Sequence, residues 1–178
     1  MVAVVVEEAE DTIYVVDCVS EEVLVDFFAR EIAPQAPLVL IAEGVEGGKL
    51  VLSAGTREED ALWRVIVDPI DGTRGLMYQK RSAWILTGVA PNTGKHTSLS
   101  DIGLALQTEI PLIKQHLGDQ AWALRGRGAC AERWDRIRQR ATPLPLRPST
   151  AKTLEHGFST VYRFFPNEHQ LLSKITTP

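Results

Sequence analysis

The chemistry in this sequence concentrates in six consecutive residues, Asp68-Pro69-Ile70-Asp71-Gly72-Thr73. Pro69 fixes φ and reads as the corner of a turn, which would bring Asp71 back alongside Asp68. Two carboxylates that close repel each other and raise one pKa unless a cation neutralises them. Hard oxygen donors suit Mg2+, which keeps several waters and shares its shell with substrate phosphate. Gly72 lets the backbone approach an anion, and a helix beginning at Thr73 would offer free amides to a phosphate. An Asp-Pro-x-Asp pair alone is as good a turn as it is a site. Here the full string follows an apolar strand, and Glu43 stands at the carboxyl end of another, where ligands collect in layered α/β sheets. Together they predict a divalent-metal and phosphate site of the kind that hydrolyses phosphate monoesters.

Several elements must position these groups. Thr12 to Val16 is β-branched and aromatic and predicts a strand ending at Asp17, and Met1 to Val6 predicts another. Ser20 is placed to cap a helix with Glu21 and Glu22 in its first turn, where the dipole favours negative charge. Val23, Leu24, Phe27, Phe28 and Ile32 fall at helical spacing, and Pro34 stops the helix. Leu38–Ala42 and Leu62–Val67 are short apolar runs expected as buried strands that deliver Glu43 and Asp68. Lys49–Ser53 and Ser82–Ala90 predict further strands, the latter closed by the turn Pro91-Asn92-Thr93-Gly94. Ile102–Leu106 and Ala121–Leu124 complete a mixed or antiparallel sheet. Arg57–Asp60 is expected as a solvated turn, and Arg133–Arg140 as a solvated helix or hairpin edge. Trp63, Trp84 and Trp122 lie in apolar runs and are expected in the core.

The 178 residues suffice for one ordinary core, with 44% hydrophobic and 24% charged residues. No apolar run approaches the roughly 18 residues of a membrane span, and the start carries no basic leader, so a soluble cytoplasmic protein is expected. The net charge of -4 argues against nucleic acid as a partner but not against small phosphorylated substrates, because a bound metal reverses the local field. Cys18 and Cys130 are expected as two buried thiols in a reducing compartment. His96, His116, His156 and His169 show no ligand spacing.

The stretch from about Asp17 to about Gly128 resembles the amino-terminal part of the inositol monophosphatase-like family. These are magnesium-dependent, lithium-sensitive sugar phosphatases grouped with bisphosphate nucleotidases and fructose bisphosphatases. Asp68 to Thr73 is similar to the family's central motif. Asp17-Cys18-Val19-Ser20-Glu21 resembles its Asp-x-x-x-Glu stretch, Ala42-Glu43-Gly44 its Gly-Glu-Glu motif, and Arg125 to Ala129 its Lys-Gly-x-Gly-Ala turn. The resemblance implies an α+β layered sugar-phosphatase fold, with residues 1–148 forming a metal- and phosphate-binding domain and 149–178 beginning an incomplete segment. It also implies residue roles. Glu43, Asp68 and the Ile70 carbonyl would ligate one Mg2+, and Asp68 and Asp71 a second. Thr73, paired with Glu43, would orient and deprotonate the attacking water, with Asp17 as an outer carboxylate. The amides of Gly72 and Thr73 would hold the phosphate.

Four departures set this chain apart from the family pattern. Gly44 replaces the second acidic residue, and Arg74-Gly75 stands where Asn-Phe is commonest; a basic residue there resembles the histidinol-phosphatase branch. The chain opens on a strand instead of a long helix. It is also shorter than the family, whose second domain supplies a Trp-Asp ligand motif; Trp134-Asp135 reads instead as a surface turn. The leading expectation is a phosphomonoesterase for a small phosphorylated polyol, with histidinol phosphate or a nucleotide bisphosphate as alternative substrates. A truncated relative that binds metal or phosphate without turnover stays open, as does a subunit completed by another chain, including a homodimer.

Overall fold

The computed structural model describes residues 4–7, 12–155 and 157. Strands β1 (Val4–Glu7) and β2 (Thr12–Tyr14) form a small antiparallel pair. Helix α1 (Val15–Phe27) follows at once and ends in a π-helical turn, Phe28–Ile32. Next come β3 (Leu38–Ile41), β4 (Lys49–Leu52), β5 (Trp63–Asp71), the short helix α2 (Thr73–Met77) and β6 (Ala83–Pro91). Strands β7 (Leu104–Ile110), β8 (Leu117–Leu124), β9 (Gly128–Asp135) and β10 (Arg140–Pro143) complete the chain of elements.

The last eight strands make one sheet in the order β10-β9-β8-β7-β6-β5-β3-β4. Only the β3–β5 pair is parallel, and every other neighbouring pair is antiparallel. The result is the expected α+β class with a mixed sheet and few helices. Its core lies where β3 and β5 meet α1. Leu38, Leu40, Val65 and Val67 point to one face and pack under Leu24, Val25, Phe28 and Ile32. The opposite face is less covered, and Ile66 and Leu86 stay over a third exposed. Burying continuous β-branched and leucine runs on a parallel pair is the main apolar driving force available to this end of the sheet.

Several local expectations are corrected. Val15 and Val16 belong to the helix, not to a strand, so Asp17 sits in the first turn of α1. Strand propensity is overridden there by tertiary packing. Ser20 is no cap: inside α1 its hydroxyl donates to the Asp17 carbonyl at 2.7 Å, the back-bonding open to a helical serine. Of the predicted apolar face, Leu24, Phe28 and Ile32 pack on the core, whereas Val23 and Phe27 are more than half exposed. The three core tryptophans are corrected as well, since Trp63 is 40% exposed and Trp84 and Trp122 are only half-buried. Neither thiol is buried: Cys18 is half-buried and Cys130 exposed, and both are free. Trp134-Asp135 is not a surface turn but the end of β9. Asp135 is buried there and accepts from the Ile137 and Arg138 amides and the Arg138 guanidinium, which close the β9–β10 hairpin. Hydrogen bonding by the Arg138 amide, foremost, holds its carboxyl below the usual range. The Arg133–Arg140 run is accordingly a hairpin edge, and Arg133 forks onto Asp119 at 2.6 and 2.8 Å across the β8–β9 pair. His96 and His116 are exposed, while His156 and His169 lie outside the described residues.

One side chain at the end of β6 does more than its turn assignment suggested. The Asn92 amide donates to the Glu58 carbonyl at 2.7 Å and the Ala61 carbonyl at 2.8 Å. Its oxygen accepts from Arg64 Nε at 2.8 Å and from the Gly94 amide at 3.0 Å. Arg64 in turn pairs with Glu58. This amide therefore ties the entry to β5 to the exit of β6. Replacing Asn92 by alanine is expected to cost about 2–3 kcal/mol, read as a lower urea midpoint, because several half-buried partners lose their bonds together. Asn92→Asp should do no better, since a carboxylate would face two carbonyl oxygens.

Candidate active site at the ends of β3 and β5

The site is assembled by strand register. In the parallel pair Ile41 lies opposite Ile66, so Glu43 and Asp68 each follow two residues beyond the last common rung. Two adjacent strands, about 4.8 Å apart, thus carry one carboxylate each past the same edge. Both residues are exposed, as carboxylates at strand ends usually are.

The expected Pro69 turn is corrected. Strand β5 runs on through Asp71, with Asp68 opposite Leu86 and Asp71 opposite Trp84. Three steps on β5 thus match two on β6, a β-bulge of one extra residue. The consequence is stereochemical. Residues three apart on a regular strand face opposite sides, but the bulge shifts the alternation by one and returns Asp68 and Asp71 to the same face. Within the bulge the Ile70 amide donates to Asp68 Oδ1 at 3.0 Å, which fixes that carboxylate against its own backbone. A fold in the chain was expected to pair the two carboxylates; an irregularity in the strand aligns them.

Gly72 then breaks the strand with φ 93°, a left-handed value that glycine adopts without a Cβ penalty. Helix α2 starts at Thr73, as expected, but lasts only five residues. Thr73 Oγ1 lies 2.8 Å from Asp17 Oδ1 and 2.8 Å from the Ile70 carbonyl. The threonine was expected to pair with Glu43; its hydroxyl partners in the structure are Asp17 and Ile70. That contact spans 56 residues of sequence and locks α1 onto the end of β5; the resemblance placed Asp17 nearby as an outer carboxylate but not as the partner of this hydroxyl.

A fifth carboxylate, the second from α1, also lies here. Glu21, one turn after Asp17, lies where a side chain at position 44 would be: a Cβ built on Gly44 would fall 1.4 Å from Glu21 Oε2. Burial raises the Glu21 carboxyl above its usual range, the Gly44 amide hydrogen bond opposes that rise, and the charge of Asp17 adds to it. Gly44, read from sequence only as a missing acid, is thus the space Glu21 occupies.

The donors at this edge are all oxygens, from Glu43, Asp68, Asp71 and the Ile70 carbonyl, which fits a hard divalent cation. Among the described residues no group of three or more His, Cys, Asp or Glu side chains is drawn together tightly enough to hold a metal ion. The backbone sets the ligand positions, and the carboxylates would have to turn toward one another to close on a cation. The surface concavities along β7–β9, lined by residues such as Glu109, Asp119 and Trp134, include none of these side chains.

The fold is shared with solved phosphatases. The apo fructose-1,6-bisphosphatase of Leishmania major matches with a TM-score of 0.53 at 15% identity, over 72% of this chain and 42% of that one. Its T-state structure matches with a TM-score of 0.52 at 14% identity, over 72% and 40%. A staphylococcal inositol monophosphatase-1 in a LiCl-soaked inhibitory complex also matches, with a TM-score of 0.48 at 22% identity, over 73% of this chain and 41% of that one. This chain spans about two-fifths of the length of the structures it matches. No protein-family model and no curated protein matches the sequence. At these identities the likeness establishes the fold of the fructose-1,6-bisphosphatase structures over most of this chain. Among the described residues no helix is long and apolar enough to cross a membrane.

Proposed function

We propose that this chain carries the metal- and phosphate-binding half of a magnesium-dependent phosphomonoesterase, acting on a small phosphorylated polyol of the inositol-monophosphate type. The observation that carries this reading is the Thr73–Asp17 hydrogen bond, set beside carboxylates that leave β3 and β5 at the same level. Glu43, Asp68, Asp71 and the Ile70 carbonyl would hold the cation. When bound it would polarise the phosphoryl group and ease ionisation of a water.

The chain's own residues do the rest. The Thr73 hydroxyl has one proton and two acceptors within reach. Given to the charged Asp17, that proton leaves the Oγ1 lone pairs to accept from an attacking water, so Thr73 and Asp17 orient the nucleophile and take up its proton. The amides of Gly72 and Thr73 would fix the phosphate, with the left-handed Gly72 letting the backbone come close. Positioning of this kind supplies most of the rate in phosphoryl transfer.

Release of inorganic phosphate from inositol 1-phosphate and a panel of phosphomonoesters, with and without Mg2+, tests the reading. Replacing Asp71 by asparagine should lower turnover at least about 100-fold, the scale of losing one charged metal ligand. Activity indifferent to Mg2+ and to that substitution would sink the assignment.

A second reading draws on the absence, among the described residues, of a ready three-ligand group. On it the chain binds Mg2+ or phosphate but turns over nothing. Calorimetric Mg2+ binding lost in Asp71→Asn, with no hydrolysis across the panel, is the result that selects it.

A further inference from the structure

The proposed phosphate site is rich in negative charge, with Asp17, Glu43, Asp68 and Asp71 around one strand end, and a phosphate monoester adds more. Among the described residues, Arg81 is a cation whose side chain lies against it. The β5–β6 connection folds back on itself so that the Gly75 carbonyl accepts from both the Lys80 and Arg81 amides, at 2.9 and 3.3 Å. This pins the Arg81 backbone against Gly75. The side chain then runs across Gly75: a Cβ built there would lie 2.6 Å from Arg81 Cγ and 2.9 Å from its Nε. The guanidinium ends at Gly72, with Nη2 3.3 Å from the point a Gly72 Cβ would occupy. A side chain at Gly75 would obstruct this path at the arginine stem, whereas one at Gly72 would crowd only the guanidinium tip, and Arg81 remains exposed along it.

We propose that Arg81 is a phosphate-binding residue of this site, its guanidinium delivered over Gly75 to the edge of Gly72, where it meets the phosphoryl oxygens of the substrate. The proposal rests on the phosphomonoesterase reading for what the substrate is, but its test does not require turnover. A guanidinium suits the task because its planar fork donates two parallel hydrogen bonds to phosphate, stays charged at any working pH and is weakly hydrated. Gly75 is then no defect in α2 but the condition for the arginine's path. Arg74 carries the same charge one residue before Gly75 and serves as the comparison.

The test is calorimetric titration of the full chain with inorganic phosphate, in Mg2+ and without it. Arg81→Gln is expected to weaken phosphate about tenfold or more, and Arg81→Lys less, because the charge survives without the fork. Gly75→Ala should weaken it several-fold while keeping every charge, because the methyl group displaces the arginine stem. Alanine favours the helix but crowds the arginine stem, so the melting temperature of this variant is read alongside to separate a folding loss from a binding loss. Arg74→Gln should weaken phosphate clearly less than Arg81→Gln does. Phosphate affinity unchanged in Arg81→Gln and Gly75→Ala would overturn the proposal, leaving the arginine as an ion-pair partner of the loop. Equal losses in Arg74→Gln and Arg81→Gln would overturn it too, as would a parent protein that binds no phosphate. Phosphate binding that depends on Arg81 in a chain with no hydrolytic activity would uphold this inference while removing the phosphomonoesterase reading.

Discussion

Replacing Thr73 by valine is expected to lower kcat for Mg2+-dependent phosphate release by about 10²–10⁴-fold, the range for losing a positioned acid–base group. Valine keeps the branching of threonine and removes only the hydroxyl, so the loss isolates the contact to Asp17 and the Ile70 carbonyl at 2.8 Å. Serine keeps the hydroxyl and should retain activity within about tenfold, one step on the same scale. Asp17→Asn should fall near the valine variant, because an amide accepts a proton far less readily than a carboxylate. The diagnostic measurement is the double variant. If Thr73 and Asp17 act as one relay, Thr73→Val with Asp17→Asn should be scarcely slower than either alone, since groups that work as a unit are non-additive. Additive losses would mean the two residues contribute separately and that the hydrogen bond only ties α1 to β5. That structural role has its own signature, a stability loss of about 1 kcal/mol in the valine variant that serine does not share.

How far the sequence could reach is clearest at these residues. Glu43 and Asp68 were legible because apolar runs of strand length end just before them, and the parallel pairing of β3 with β5 places them level. The likeness of Asp68 to Thr73 to a phosphatase motif pointed to the fold that the solved structures share. The geometry inside the motif was not legible. A proline after an aspartate favours a turn by local rules, whereas the ladder to β6 continues through Asp71 and absorbs the extra residue as a bulge. Pairing with β6 is a long-range fact, invisible to a reading of six residues. The same holds for Thr73 and Asp17, for Glu21 filling the space at Gly44, and for Arg81 over Gly75. Each joins segments whose separation along the chain sets no local pattern. Val15 and Val16 show the complementary failure, since a β-branched run was taken up by a helix that the packing on β5 demands.

Leu40→Ala is expected to destabilise the fold by about 3–5 kcal/mol, a large share of the roughly 5–15 kcal/mol a domain of this size holds. Leu40 is fully buried, lies between Val65 of β5 and Leu50 of β4, and belongs to the cluster beneath Phe28 and Ile32. Alanine there removes transfer energy and leaves a cavity that a sheet held on both sides cannot collapse. Ile66→Ala is the paired measurement. Ile66 sits next to Val65 on the same strand but faces away from the cluster and is 39% exposed, so its truncation should cost only about 1 kcal/mol. Urea denaturation of the two variants separates the faces of the sheet. The contrast matters for the site, because Ile66 lies as close to Asp68 along β5 as the core residue Val67 does to Pro69. A large loss at Leu40 with little at Ile66 means the strand ends are held mainly from the α1 side. The carboxylate edge then stands on one packed face, and substitutions on the other can be made to probe chemistry without unfolding the chain. Similar losses at both positions would show that the second face, where Val39 is already fully buried, carries as much of the packing as the first.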